Sequence, residues 1–454
     1  MDITAAGGRS PPKKRIARHR TTVHVLSHDI LCILFSFLDL LDLFRCSCVC
    51  KSWNTIISKS KLLQILYCKQ QQSSPSSFDM SISSERFLKK HLQRSAIDRH
   101  RSSLQQGPID VSQWKGHSVG VDQCRMKMGL ILTGVGDKVM RLWSAENYKC
   151  LDEYSLPDKA PLVDFDFDES KNSYLRIVCK ASWYYWLICN LHILVCRLLV
   201  WLGLVFAYGD AVGKEIYFPH VKACLQRVYA CDPEAAVGCE DGTVRLFDMY
   251  SRKCSRIIKM HAGSVTCLAL SDDQLIISGS SLGRVTLSDL SSDQRVSALR
   301  STDSGGIRTL CFNPSSHLVF AGSTAGYASC WDLRTTRTLW NVRVSPNVLY
   351  SMNHMRGDKS TLVVGGIDGV LRFLDQDTGE VFSRCIMNES NISNSLRDSH
   401  GVVQIKKARR LSEDTRIDLI PKTCRPSIRC LAVGMQKVVT THNEKNIRIW
   451  KFNR

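Results

Sequence analysis

A repeat constrains this chain more than any other feature. Six segments share a tight turn, a β-rich run and then an aromatic residue or its substitute: 136–144, 240–248, 281–289, 324–332, 367–375 and 443–451. The aligned positions are Trp143, Phe247, Ser288, Trp331, Leu374 and Trp450, separated by 104, 41, 43, 43 and 76 residues. A period near 42 with Gly/Asp turns and alternating strands predicts a β-propeller of four-stranded blades. The last gap holds one period plus about 33 residues, which predicts a loop insertion at 386–426. The first holds two periods plus about 20, so a seventh, poorly marked repeat is expected between 155 and 216. Seven blades then fill residues 106–454. The sequence ends just after the third strand of the last blade, so its fourth must come from elsewhere. IDVSQW (109–114) alternates as a strand does and is expected to pair with the last blade, near 427–451, which removes two sheet edges.

Inner strands such as SVTCLALS and IRTLCFNP precede the turns, followed by QLIISGS and HLVFAGS. These units resemble WD repeats. The dipeptide itself survives as Trp331-Asp332, with Phe247-Asp248 close to it, and Gly116-His117 is the one Gly-His pair. In the first repeat His117, Thr133, Asp137 and Trp143 are expected to form a buried hydrogen-bond set. The carboxylate and hydroxyl can satisfy the imidazole, and a buried indole N–H needs a partner. The resemblance implies that such a set ties each blade; repeats four to six have lost parts of it.

One segment breaks the pattern. Residues 182–208 read SWYYWLICNLHILVCRLLVWLGLVFAY and carry a single formal charge, Arg197. The length alone would suit a membrane span. A span would put the first blade and the rest on opposite sides of a membrane, and the ring could not close. The Arg near its middle would also cost about 2.5–3.5 kcal/mol. No membrane association is expected. A buried helix or strand pair replacing blade two, or a foreign segment of translated non-coding sequence, are the remaining readings.

The N-terminal part follows other rules. Residues 1–21 form a tail with a basic run from Lys13 to Arg20, read either as a nuclear-import signal or as a solvated tail. From Val25 to Ile57 apolar residues recur at helical spacing. Ser27 can cap a helix with Asp29 in its first turn, and Asp39 to Asp42 breaks that helix. Two or three short helices bury little core alone, so this much apolar surface expects a partner. Leu26, Asp29-Ile30-Leu31, Leu34, Ser36-Phe37-Leu38, Leu43, Arg45-Cys46, Val49-Cys50-Lys51 and Trp53 match an F-box, with Ser27 where that family usually has proline. The resemblance assigns 22–66 to an F-box and gives Leu26, Ile30, Leu31, Leu34, Leu38, Leu43, Val49 and Trp53 to docking an adaptor. Residues 67–105, rich in Gln and Ser and then helical, are read as a linker with one helix.

Composition narrows the classes. The chain of 454 residues carries a formal charge of +19 and 20 cysteines. No apolar signal core opens it, so the thiols are read as reduced and the chain as nuclear or cytoplasmic, not secreted. Cys46, Cys48 and Cys50 lack a second ligand pair, and no metal or cofactor is expected. Lys406, Lys407, Arg409 and Arg410 precede Ser412, which reads as a second import signal, a basophilic kinase site or a plain basic loop. No phosphate-binding glycine loop, nucleophile elbow or metal spacing emerges.

The fold expected is therefore mainly β, a seven-bladed WD-repeat propeller behind a small all-α F-box domain. The two halves together resemble the plant-type F-box/WD-repeat proteins. That resemblance implies a non-catalytic receptor. The F-box would bind a Skp-family adaptor and through it a cullin, while the propeller would hold a protein substrate for ubiquitination. Aligning the inner strands on SVTC places Asp122, Leu225, Thr266, Arg308, Tyr350 and Arg429 at the narrow face. Arg308, Tyr350 and Arg429 suit an anionic ligand, because guanidinium forks bind phosphate bidentately. Family propellers that read phosphorylated substrates use arginines at this kind of position, so the resemblance gives that role to Arg308 and Arg429. Asp122 opposes it, and an inner-strand Arg can simply pair with a neighbouring carboxylate. The rival reading is a nuclear WD-repeat scaffold bound to RNA; a basic ring face would favour it, whereas basic tails and loops would favour import signals.

Overall fold

The computed structural model describes residues 26–72, 85–127, 129–135, 139–155, 162–167, 175–179, 186–188, 234–248, 253–271, 275–290, 295–301, 303, 305–354, 360–388, 394–398, 401–434 and 436–452. The tail 1–21, Asp137, Leu225 and most of 182–208 lie outside them. Two compact units divide at Arg99/His100.

The first unit is helical: α1 (His28–Ser36), α2 (Leu40–Ser47), α3 (Lys51–Lys59), α4 (Leu62–Gln72) and the part of α5 (Glu85–Gln106) up to Arg99. Helices α1, α2 and α3 each start where a side chain takes up a free backbone N–H. Ser27 accepts from Ile30 N, Asp39 from Asp42 N at 2.7 Å, and Cys50 Sγ from Trp53 N. The core gathers Leu31, Phe35, Leu41, Leu43, Ile56, Ile57 and Leu63. Leu88 and Leu92 of α5 complete it. The linker expected over 67–105 is therefore corrected: spaced one helical turn apart, these two leucines face the module and belong to its core.

The second unit is built of strands. It begins with the last turns of α5 and β1 (Ile109–Lys115). Antiparallel meanders follow in chain order. They are β2–β5 (Val121–Lys127, Leu130–Val135, Val139–Ser144, Cys150–Ser155), β6–β8 (Leu162–Phe167, Leu175–Cys179, Trp186–Ile188) and β9–β11 (Glu234–Gly238, Thr243–Asp248, Lys253–Lys259). Next come β12–β15 (Val265–Leu270, Leu275–Ser280, Arg284–Asp289, Arg295–Arg300), β16–β19 (Ile307–Asn313, Leu318–Ser323, Tyr327–Asp332, Arg337–Arg343) and β20–β23 (Leu349–His354, Thr361–Gly366, Leu371–Asp375, Val381–Met387). A hairpin β24–β25 (Asn394–Asp398, Gly401–Arg410) precedes β26–β28 (Cys430–Val433, Lys437–Thr441, Asn446–Phe452). First strands of neighbouring sheets lie side by side: β12 by β16, β16 by β20, β20 by β26, and β26 by β2. The blade count expected from spacing rests partly on 189–233, outside the described residues. Of the apolar segment 182–208, Trp186–Ile188 is described, paired with β7.

The repeated turn explains the period. Gly326 has φ +87°, and a Cβ there would run into the Ser345 carbonyl. Its own carbonyl accepts from Val344 and Ser345 N, at 3.0 and 3.1 Å. Gly242 receives Met260 and His261 N in the same way. In the last sheet the aligned residue is Lys445, whose carbonyl accepts from Gly116 and His117 N. The strand that supplies this contact is β1, which pairs antiparallel with β28 from Ile109↔Phe452 to Lys115↔Asn446. Gln113 Oε1 accepts from the buried Arg448 at 2.9 Å, with Glu444 on the other side of that guanidinium.

The expected polar set is present in the first sheet as far as it is described. His117 Nε2 lies 2.8 Å from Thr133 Oγ1, which also accepts from Trp143 Nε1 at 2.9 Å. The last sheet has its own version, which sequence reading did not find. Thr440 Oγ1 accepts from Trp450 Nε1 and touches His442 Nε2 at 2.8 Å. This histidine comes from the turn between β27 and β28, so the Gly-His signal was missing.

The insertion at 386–426 is corrected from a loop to a strand-bearing segment. β25 pairs with β1 (Asp110↔Lys407 to Gln113↔Gln404) and then with β23 (Cys385↔Arg410 to Met387↔Ala408). It thereby joins two sheets into one of ten strands. Val403 is buried and Ala408 packs on the core of that sheet, while Lys407 and Arg409 are exposed. The long basic side chains had masked the strand period. Arg410 turns inward instead, and its guanidinium donates to the carbonyls of Ser103, Leu104 and Gly107 at the end of α5. Ser383 Oγ also donates to Leu104 O, and Arg101 pairs with Asp375 at 2.6 Å.

Candidate functional site

Each unit presents one candidate face. In the helical unit, α1 carries Leu31 and Phe35 inward and the opposite stripe outward. Ile30 (46% exposed), Ile33 (57%), Leu34 (47%) and Phe37 (80%) recur every three or four residues along that stripe, with Leu26 just before it. Val49, before α3, is also exposed. Beside the stripe a groove of about 450 Å³ is lined by Leu26, His28, Leu31, Lys51, Trp53 and Ile56, among others. Trp53 packs edge-on against Phe35 at 5.3 Å, and its Nε1 is buried without a hydrogen-bond partner among the described residues.

The eight residues expected to dock an adaptor therefore separate. Leu26, Ile30, Leu34 and Val49 lie on the exposed side. Leu31 and Leu43 are corrected to core positions, at 5% and 0% exposure, because they close the space between α1, α2 and α3. Leu38 and Trp53 are half-buried at the core edge. Ile33 and Phe37 were missed; completing the helical stripe from Ile30 would have found both.

In the strand unit, the second residue of each first strand lies at the end where the glycine turns gather. There Arg429, just before β26, stacks its guanidinium on the Tyr350 ring at 4.4 Å. Asp122 on β2 lies beside Arg429; burial pushes its carboxyl up, and the Arg429 charge pulls it partly back. Structure thus brings Asp122, Arg429 and Tyr350 together. Arg308, on the neighbouring β16, is exposed and forms no ion pair among the described residues. Thr266 is no binding group: its hydroxyl is turned to the carbonyls of Gly279 and Ile307. Among the described residues no cluster of His, Cys, Asp or Glu could hold a metal ion, and no helix is long and apolar enough to cross a membrane.

Comparison with known proteins puts a family on both units. Residues 24–65 match the F-box domain, and residues 252–287 and 294–332 match the WD domain, G-beta repeat. An F-box/WD-40 repeat-containing protein of Arabidopsis thaliana is 47% identical over 460 residues, covering 100% of both chains. The chain belongs to the F-box/WD-40 repeat-containing proteins. Two further relatives match in part. Meiotic fizzy-related protein 1 of Schizosaccharomyces pombe is 24% identical over 49% of this chain and 55% of its own. The sterol regulatory element-binding protein cleavage-activating protein of Xenopus laevis is 22% identical over 42% of this chain and 14% of its own. As an F-box/WD-40 repeat-containing protein, the chain is of the F-box substrate-receptor type, with a helical docking module and a mainly β repeat unit.

Proposed function

We propose that this F-box/WD-40 protein is the substrate-recognition subunit of a Skp–cullin–F-box ubiquitin ligase. The observation that carries the reading is the outward stripe Ile30–Ile33–Leu34–Phe37 with Leu26 and Val49. It is apolar on a module whose core is already complete without it, and so it suits a protein partner, here the Skp-family adaptor. The strand unit then holds the substrate at the end marked by Arg308, Tyr350 and Arg429. The protein performs no chemistry itself; tethering raises the effective concentration of substrate lysines near the charged ubiquitin carrier. Its place of action would be the nucleus or cytoplasm. The alternative of an RNA scaffold is less well supported, because a phosphate backbone would meet Asp122, Glu240, Asp241 and Glu444 as well as arginines at that end.

The test is affinity purification of the full chain from cells, scored for adaptor and cullin. Leu34→Ala with Phe37→Ala removes exposed side chains, so the fold should survive while adaptor capture is lost. Wild-type chain that captures neither adaptor nor cullin, or a double variant that captures both as well as wild type, would overturn the reading. Arg308→Ala with Arg429→Ala should weaken substrate capture and leave adaptor binding intact.

A further inference from the structure

A pair of cysteines lies where the first and last described sheets of the strand unit meet. Cys124 is on β2 and Cys430 on β26, 306 residues apart in sequence. Cys430 Sγ donates to the Cys124 carbonyl oxygen at 3.5 Å, on strands that lie side by side. Arg125 Nη1 approaches Cys430 Sγ at 3.7 Å while also donating to Cys124 O at 3.0 Å. Cys124 is fully enclosed, whereas Cys430 keeps 6% exposure.

The two sulfurs differ chemically. The Cys124 thiol and then the Arg125 guanidinium favour a thiolate at Cys430. Burial, followed by the Cys430 neighbour, pushes the Cys124 thiol up. One sulfur is thus disposed to attack an oxidant and the other to resolve the product. Neither has a part in adaptor docking or in the Arg308 face.

We propose that Cys124 and Cys430 are a redox modification site, oxidised by hydrogen peroxide to a disulfide that joins the inner strands of the first and last sheets. Peroxide is a water-sized oxidant that suits a thiol with little exposure. The Cys430 sulfur attacks one peroxide oxygen, the O–O bond breaks, and the leaving hydroxide takes up the thiol proton as water. The resulting sulfenic acid is attacked by the Cys124 sulfur. The S–O bond breaks as the S–S bond forms, and the Cys124 proton leaves with the hydroxyl as a second water. Two thiols and one peroxide give one disulfide and two waters. The product closes the strand unit covalently across almost its whole length, which restricts the unfolded chain far more than the folded one.

The test treats the full-length chain with a small molar excess of hydrogen peroxide, blocks the remaining thiols and maps peptides without reduction. The expected result is a linked pair of peptides carrying Cys124 and Cys430, lost on reduction. The thermal midpoint should rise by roughly 10 °C, again reversed by reductant. In Cys124→Ser the resolving thiol is gone, so Cys430 should be trapped as a sulfenic acid by a dimedone probe. Oxidation confined to exposed thiols such as Cys48, Cys68 and Cys150 would overturn the proposal. So would a Cys430 sulfenic acid in the wild-type chain that never proceeds to the linked peptide.

Discussion

Arg410→Ala tests the clamp on the end of α5. The guanidinium donates four hydrogen bonds to three carbonyls, two of them to Leu104 O, and this side chain is half-buried. Those carbonyls lie at the C-terminal end of α5, the negative end of its dipole, where Ser103 O also accepts from Gly107 N at 3.0 Å. Hydrogen bonds involving a charged group contribute about 1.5–3 kcal/mol each, but four from one group are far from additive. Ser383 still reaches Leu104 O in the variant, while the Ser103 and Gly107 carbonyls lose this donor. A loss of about 3 kcal/mol follows, close to two such bonds. At about 2 °C per kcal/mol for a unit of this size, the melting midpoint should fall by roughly 6 °C. Calorimetry on the full chain reads this directly. Arg410→Lys keeps the charge but not the planar fork, and should recover less than half. A midpoint within 1 °C of wild type for Arg410→Ala, by the same ~2 °C per kcal/mol scale, would refute the reasoning.

Three further outcomes are expected. Removing residues 1–100 should leave a folded strand unit, whereas removing 1–115 takes away β1 and exposes edges of both β25 and β28; equal melting of the two truncations would reject a closing role for β1. Gly326→Ala should destabilise by more than 1 kcal/mol, since the new methyl at φ +87° meets the Ser345 carbonyl; urea denaturation measures it. Burial, and then Arg448, hold the His442 imidazole neutral in the fold with its pKa well below the usual range. The unfolded chain therefore binds the extra proton, and stability should fall as pH drops below about 6.5, by up to about 1.4 kcal/mol per pH unit. His442→Gln should flatten that slope in a pH series of denaturation curves.

Much of this architecture can be read from single residues. Ser27 and Asp39 announce the starts of α1 and α2 because a short oxygen side chain at those positions satisfies a free N–H. Glycines of the repeated turn are legible because no side chain fits beneath the returning carbonyl. Other features depend on partners distant in sequence. Nothing near Arg410 indicates that its fork will find Ser103, Leu104 and Gly107, and the basic run around it hides a strand. Leu31 and Leu43 fit the F-box pattern as well as Leu34 does, since a motif records which residues are apolar but not which way each one faces. The second half of the candidate site shows the same limit. The alignment of inner strands put Arg429 and Tyr350 at one end, yet only their packing reveals that this arginine is already stacked, whereas Arg308 has no such ring contact among the described residues.

The ten-residue β25 has a consequence for the integrity of the repeat. Neighbouring units in such an array usually meet through side chains alone, so each can loosen with modest cost to the next. Here backbone hydrogen bonds run from β23 through β25 into β1 and β28. The seam between two repeats is therefore laddered, and opening either one severs part of the other. An insertion that sequence length alone would mark as dispensable is instead a strand shared by two repeats, which are therefore expected to melt together.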